Sequence, residues 1–169
     1  MALIPVIENW QSIKQYSDDP VDKEALERVL EAGRKAPSAK NRQPWRFIVV
    51  DDESTRKRME AAAFGQEHVG RAPVIIAACT TNVDYRMPNG QWSYPIDLTM
   101  AVSFMMLQAS EEGLGSCVVT TYDEQEIKDI LTVPYSMRVV MLLLVGQPAG
   151  KPFPTQRKPL KRIASYNHW

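Results

Sequence analysis

Residues 98–109, LTMAVSFMMLQA, are apolar on nearly every face of a helix, and that segment restricts the fold more than any other. A helix with one apolar stripe needs one packing partner, whereas a helix that is apolar all round needs several. A sheet can cover one side. Leaving the remainder in water is unfavourable, so a second subunit is expected over it. Met100, Met105 and Met106 are adaptable filler for such a surface. Gly113 suits the left-handed position that stops the helix, and residues 117–121 then read as a strand.

The other elements follow from spacing and punctuation. Val6, Ile7, Trp10 and Ile13 recur at helical intervals, which predicts a first helix over residues 5–16, ended by the turn formers Ser17, Asp18, Asp19 and Pro20. Asp22 caps a second helix whose face is Leu26, Val29, Leu30 and Gly33. Residues 46–51 read as a strand, buried over 47–50, and Ser54 or Thr55 as the cap of a helix carrying Met59, Ala62 and Ala63 and closed by Gly65. The uninterrupted apolar run 74–79 is a buried strand, and residues 82–95 are a long loop rich in aromatics. Asp123 and Glu126 form a capping-box-like pair opening a helix through Leu131, and residues 138–146 are the strongest central-strand candidate. This alternation permits a doubly wound parallel α/β sheet. Pro148, Pro152, Pro154 and Pro159 exclude a helix from the first part of the tail, leaving residues 147–169 as an extended arm. Its Phe153, Leu160, Ile163, Tyr166 and Trp169 must find a surface, on this subunit or another. No boundary suggests a second domain, so residues 1–169 read as one.

Composition narrows the chemistry. Twenty basic and twenty acidic side chains cancel, so neither nucleic acid nor an anionic membrane is an expected partner. Cys79 and Cys117 are isolated in apolar runs and read as core thiols; His68 and His168 are equally isolated, so no metal constellation is expected. The start lacks a basic, cleavable leader, and the longest apolar run, residues 139–145, is too short to cross a bilayer, which predicts a cytoplasmic protein. Charge is uneven locally. Arg34, Lys35, Lys40, Arg42 and Arg46 place five cations and no acid within residues 33–46, and Lys151, Arg157, Lys158, Lys161 and Arg162 do the same for residues 151–169. Either stretch can be an anion site or simply a solvated loop and tail. The Gly-Leu-Gly-Ser run at 113–116 lacks the spacing of a dinucleotide fingerprint or P-loop and reads as a helix stop.

Two stretches carry a resemblance. Residues 36–47, APSAKNRQPWRF, match an APSxxNxQPWxF pattern, and residues 97–131 follow with an Asp, an apolar helix, a Gly-Leu-Gly-Ser turn, a strand and a further helix. Together with residues 12–21 and the tail, the chain resembles the FMN-dependent nitroreductase family over most of its length. The resemblance implies an α+β fold with helices flanking a mainly antiparallel sheet, an intertwined homodimer with exchanged C-terminal arms, and one FMN in each of two interface clefts. It implies an NAD(P)H oxidoreductase reducing nitroaromatics, quinones or related acceptors. Ser12 and Lys14 correspond to residues near the flavin phosphate and ribityl chain; Trp10 and Gln11 stand where the family carries two arginines, so one phosphate contact is missing. Pro37, Ser38 and Asn41, with Ala39 at a frequently polar position, match residues reaching the flavin from the partner. Thr120 and Thr121 match a segment whose main-chain N–H groups face the ring near N5, and Arg157 matches an arm arginine reaching the phosphate. A non-catalytic flavin-binding protein of the same fold is the alternative.

Overall fold

In a computed structural model, which describes residues 3–150, 152 and 155–169, four strands form one sheet. They are β1 (Trp45–Val50), β2 (Val74–Thr80), β3 (Gly115–Val119) and β4 (Arg138–Gly146), in the order β1-β2-β4-β3. Every ladder is antiparallel. The parallel doubly wound arrangement that alternation permits is therefore not adopted, and the architecture is α+β. Every residue of β2 is buried, and β4 is buried over most of its length; these are the two central strands.

The helices are α1 (Pro5–Glu8), α2 (Lys23–Arg34), α3 (Glu53–Ala62), α4 (Glu67–Arg71), α5 (Ser93–Glu111) and α6 (Glu124–Leu131). They divide between the two faces of the sheet. On one face, α3, α4 and α6 bury Met59, Val69 and Ile127 against Ile75, Leu142 and Leu144. On the other, α2 and α5 bury Val29, Leu98 and Met105 against Ile76 and Leu143. Alternate residues of one strand thus feed opposite cores, as the two-residue period of a strand requires. At Gly33 a Cβ would run into Met105 Cε, so glycine lets α2 lie close to α5.

Asp22 caps α2 as expected, its Oδ2 accepting the Ala25 N–H at 2.9 Å. The cap of α3 is Asp52, however, and neither Ser54 nor Thr55: Asp52 Oδ2 accepts the Thr55 N–H at 2.7 Å and the Ser54 hydroxyl at 2.8 Å. Asp123 accepts the Glu126 N–H at 3.0 Å, but its own N–H donates to Ala62 O at 2.8 Å, which ties α6 to the end of α3 and leaves the capping box half made. Glu124 latches α6 to β4, accepting from Arg138 Nε at 2.8 Å and from the Val139 N–H at 3.0 Å.

Three further expectations give way to tertiary pairing. The first helix stops at Glu8, and the chain then runs extended, with Ser12 bridged to Ser116 and Tyr16 to Pro148. The Ile13 N–H donates to Ser116 O at 2.9 Å, and a Cβ on Gly115 would meet Ile13 at 2.7 Å, so Gly115 admits this strand-like segment. β1 is an edge strand whose ends, Trp45 and Val50, are buried while Val49 stays exposed; the run 47–50 is not buried throughout. α5 extends beyond residues 98–109 at both ends and takes Pro95 into its first turn, where a missing N–H breaks no helical bond.

The sheet and α2 cover only part of α5. Ile96 and Phe104 are 40% and 41% exposed, and together with Met100 they form a stripe of every fourth residue. On the arm, Leu160 and Ile163 are exposed around a single 3₁₀ turn, Leu160–Arg162, and Tyr166 and Trp169 are almost wholly exposed. Lys151, Phe153 and Pro154, also invoked for the arm, lie outside the described residues. Cys79 and Cys117 are buried and free, and burial pushes the Cys79 thiol up to about 11. Among the described residues no helix is long and apolar enough to cross a membrane.

Candidate functional site

The basic loop that leads into β1 is fixed by hydrogen bonds within the loop and to its neighbours. Lys40, Asn41 and Gln43 have φ of 54°, 52° and 49°, left-handed values that cost roughly 1–3 kcal/mol each in non-glycine residues unless the surroundings impose them. Ser38 imposes much of it. Its Oγ accepts the Gln43 N–H at 2.9 Å and its carbonyl accepts the Asn41 N–H at 2.9 Å, while Ala39 O accepts the Arg42 N–H at 3.2 Å. The Pro44 ring disfavours right-handed helix at Gln43, and the bond to Ser38 accompanies the left-handed basin there. Thr80 adds a clasp from the sheet, its hydroxyl donating to Pro44 O at 3.1 Å.

The remaining anchor is absent from the sequence-based candidates. Asp97, 1% exposed on α5, accepts the Ala39 N–H on Oδ1 at 2.8 Å. Its Oδ2, and Ser93 Oγ one turn earlier, are buried without a hydrogen-bond partner among the described residues. A carboxylate in an otherwise apolar helix was the available signal, since such a group is retained only where something needs it.

Ser12, Lys14 and Gln11 lie elsewhere, on the extended segment beside the start of β3. Gln11 Oε1 is buried with no partner among the described residues. Lys14 is exposed and forms no ion pair with a described residue; it borders an open cavity of about 540 Å³ with Tyr16, Glu67, His68 and Arg71. Glu67 Oε2 lies 3.9 Å from Arg71 Nε, so the excess charge there is positive. Burial first, and the Lys14 charge second, hold the His68 imidazole below its ordinary range. Gln66 Nε2 donates to Ala63 O at 2.9 Å and Thr121 O at 2.7 Å, which draws the exposed exit of β3, Thr120 and Thr121, toward the α3–α4 turn beside His68.

The candidate residues thus fall into two groups. Ile13 and Tyr16, flanking Lys14, pack on the α3/α4/α6 core, whereas Ala36 and Trp45, flanking Pro37, Ser38, Ala39 and Asn41, pack on the α2/α5 core. Within one chain the residues flanking the two groups pack on different cores. Arg157 is exposed on the arm, with no hydrogen bond or ion pair to a described residue, and joins neither. Among the described residues no cluster could hold a metal ion. In the aromatic loop, the Arg42 guanidinium lies 3.7 Å and Lys40 Nζ 5.4 Å from the Tyr85 ring centroid, and Arg86 stacks on Trp92 at 3.9 Å.

A family model described as the nitroreductase family matches residues 7–68 and 62–147. The chain belongs to the nitroreductase family. It is an oxidoreductase of that family by descent, and the antiparallel sheet with its two helical layers is the nitroreductase fold. A curated relative from Thermus thermophilus, named NADH dehydrogenase, is 30% identical over 96% of this chain and 97% of its own. The crystal structure of a nitroreductase family protein from Clostridium difficile superposes with a TM-score of 0.89 at 31% identity, covering 100% of both chains. Another from that species, described as an FMN-dependent nitroreductase, gives 0.86 at 26% identity over 99% of this chain and 100% of its own.

Proposed function

We propose that this nitroreductase is a homodimeric, FMN-dependent enzyme that takes hydride from NADH or NADPH and passes reducing equivalents to nitroaromatic, quinone or similar electron-poor acceptors. The observation that carries the proposal is the division of the candidate residues between the two faces of the sheet. Two chains can present such opposite groups to a shared cleft. Ser12, Lys14, Thr120 and Thr121 then come from one subunit, and Pro37, Ser38, Ala39 and Asn41 from the other. The half-exposed stripe of Ile96, Met100 and Phe104, the exposed Leu3, Ile4 and Ile7, and the apolar arm supply the kind of surface such a dimer buries. Exchange of the arms between subunits, and a single 169-residue domain as the folding unit, belong to the same reading.

The side chains present fit FMN. Gln11 Oε1 is a buried acceptor in want of a donor, as a ribityl hydroxyl provides. Lys14 and, from the arm, Arg157 with Lys158 are cations free for a phosphate; only Arg157 has the planar fork for two parallel hydrogen bonds. Main-chain groups at Thr120 and Thr121 would flank the ring near N5. FMN supplies the hydride-accepting and hydride-donating chemistry when bound. The chain's residues bind, orient and shield; no side-chain nucleophile is needed. His68, whose imidazole burial first and the Lys14 charge second hold below its ordinary range, is assigned no proton-transfer step, and water serves as proton source.

Purified protein should carry or take up flavin and, once loaded, oxidise NADH or NADPH in the presence of menadione or a nitroaromatic. Failure to bind saturating FMN, together with background nicotinamide oxidation, contradicts the proposal. Trp10 and Gln11 at the arginine positions favour one other reading, a flavin-holding protein; FMN would then raise the melting temperature by mass action while turnover stayed at background.

A further inference from the structure

We propose that Arg42 and Lys40, gathered on the ring of Tyr85, form a subsite that selects a planar substrate bearing an anionic group. The inference rests on the cleft proposed above and names a substrate class for it. The Arg42 guanidinium carbon sits over the Tyr85 ring, 3.7 Å from its centroid, with Lys40 Nζ 5.4 Å from the same point. Neither cation forms an ion pair with a described residue. Stacking satisfies the face of a guanidinium and leaves its N–H edge available, which is the edge that recognises carboxylate or phosphate bidentately.

Position gives this pair its meaning. Lys40 and Arg42 flank Asn41 in the loop that Ser38 and Asp97 hold rigid, so little conformational entropy remains to be lost when a ligand arrives. Tyr85 is fixed independently, its carbonyl accepting the Ser93 N–H at 3.2 Å at the start of α5. Asp84 is the only carboxylate in residues 82–92, against Arg86 from that loop and Lys40 and Arg42 facing it. The local field is therefore positive although the whole chain is neutral. Two ligands of the proposed reaction carry the required chemistry: an arene acceptor with a carboxylate or sulfonate, and the adenosine end of NADPH with its 2′-phosphate.

The test compares charged and neutral members of each pair on FMN-loaded protein: 4-nitrobenzoate against 4-nitrobenzamide with NADH as donor, and NADPH against NADH with a neutral acceptor. Direct titration of 4-nitrobenzoate, 4-nitrobenzamide and adenosine 2′,5′-bisphosphate by tryptophan fluorescence reads the subsite without turnover. In wild type the anionic member of one pair should be favoured by about tenfold in KM or Kd at low salt, and the preference should shrink as salt rises. Arg42→Gln should remove most of it, leaving only what Lys40 supplies, with the neutral member little changed; Arg42→Lys should keep more of it. The pair that responds identifies the source of the anion. No charge preference in either pair or in the titrations, or an equal loss for charged and neutral members in Arg42→Gln, overturns the proposal. If the protein binds no FMN and oxidises no nicotinamide, the parent reading has failed, and the fluorescence titrations still decide the subsite.

Discussion

The loop at residues 37–43 and the arm at 155–169 are both basic and both assigned to the flavin, yet they stand at opposite extremes of completion. In the loop, Ser38, Ala39 and Asp97 accept four backbone N–H groups and sustain three left-handed residues. That conformation is finished within one chain. The arm presents Leu160, Ile163, Tyr166 and Trp169 to solvent, at exposures from 66% upward, around one short turn. Nothing among its described residues covers those side chains. One element completes its hydrogen bonds within its own chain, and the other leaves its apolar side chains uncovered among the described residues.

Removing the arm is the harshest way to break that comparison. Burying each of those four side chains is worth about 1.5–3 kcal/mol, so a chain ending at Gly150 should dissociate as a dimer by about a thousandfold or more while its core melts almost unchanged. Sedimentation and calorimetry together read this, and an intact dimer would show that the arm has no such role. Arg157→Ala is the finer cut. A charge-assisted hydrogen bond contributes about 1.5–3 kcal/mol, so FMN binding should weaken by roughly ten- to a hundredfold, with riboflavin much less affected. Equal losses for both ligands would mean that Arg157 supports the dimer and does not grip phosphate.

For the loop, Asp97→Ala strands the Ala39 N–H and should loosen residues 39–43 by about 1–3 kcal/mol, seen as faster amide exchange there and weaker FMN binding. Asp97→Asn, which retains an acceptor oxygen, should lose less. A control outside both regions is Glu124. Burial raises its pKa, but hydrogen bonds from Arg138 and Val139 N–H, with the Arg138 and Lys128 charges, outweigh that and lower it overall. A carboxylate lowered in the folded state contributes stability above its unfolded pKa and loses it as pH falls through the folded value. Wild type should therefore exceed Glu124→Gln by roughly 0.5–1 kcal/mol near neutral pH, and the gap should close in acid. A gap that persists in acid would locate the effect in packing.

Much of this organisation is legible in the chain because it is local. The Asp22 cap, the apolar run of β2, the span of β4 over Arg138–Gly146 and the left-handed Gly113, φ 74°, each depend on a few adjacent residues. The segment after α1 is extended and not helical for a physical reason: Ile13 and Tyr16 must both reach one core, and an extended strand pinned to Ser116 and Pro148 achieves this as well as a helix would. Asp52 caps α3 where Ser54 or Thr55 was expected, because its carboxylate reaches both the Thr55 N–H and the Ser54 hydroxyl. Asp97 holds Ala39 across 58 residues of chain, a link that no short-range pattern carries. The two-sided placement of the site residues likewise depends on which sheet face each segment meets, which spacing along the chain does not encode.

The central claim is that each flavin site draws one group from either chain, and mixing two damaged proteins tests it most directly. Lys14→Glu damages the first group and Asn41→Asp the second, so each homodimer should fail to bind FMN. After unfolding and refolding together, half of the dimers should be mixed, each with one intact and one doubly damaged site, and FMN binding should return to about a quarter of the wild-type stoichiometry. If the mixture binds no more FMN than the two variants apart, each site lies within a single chain and the account is wrong.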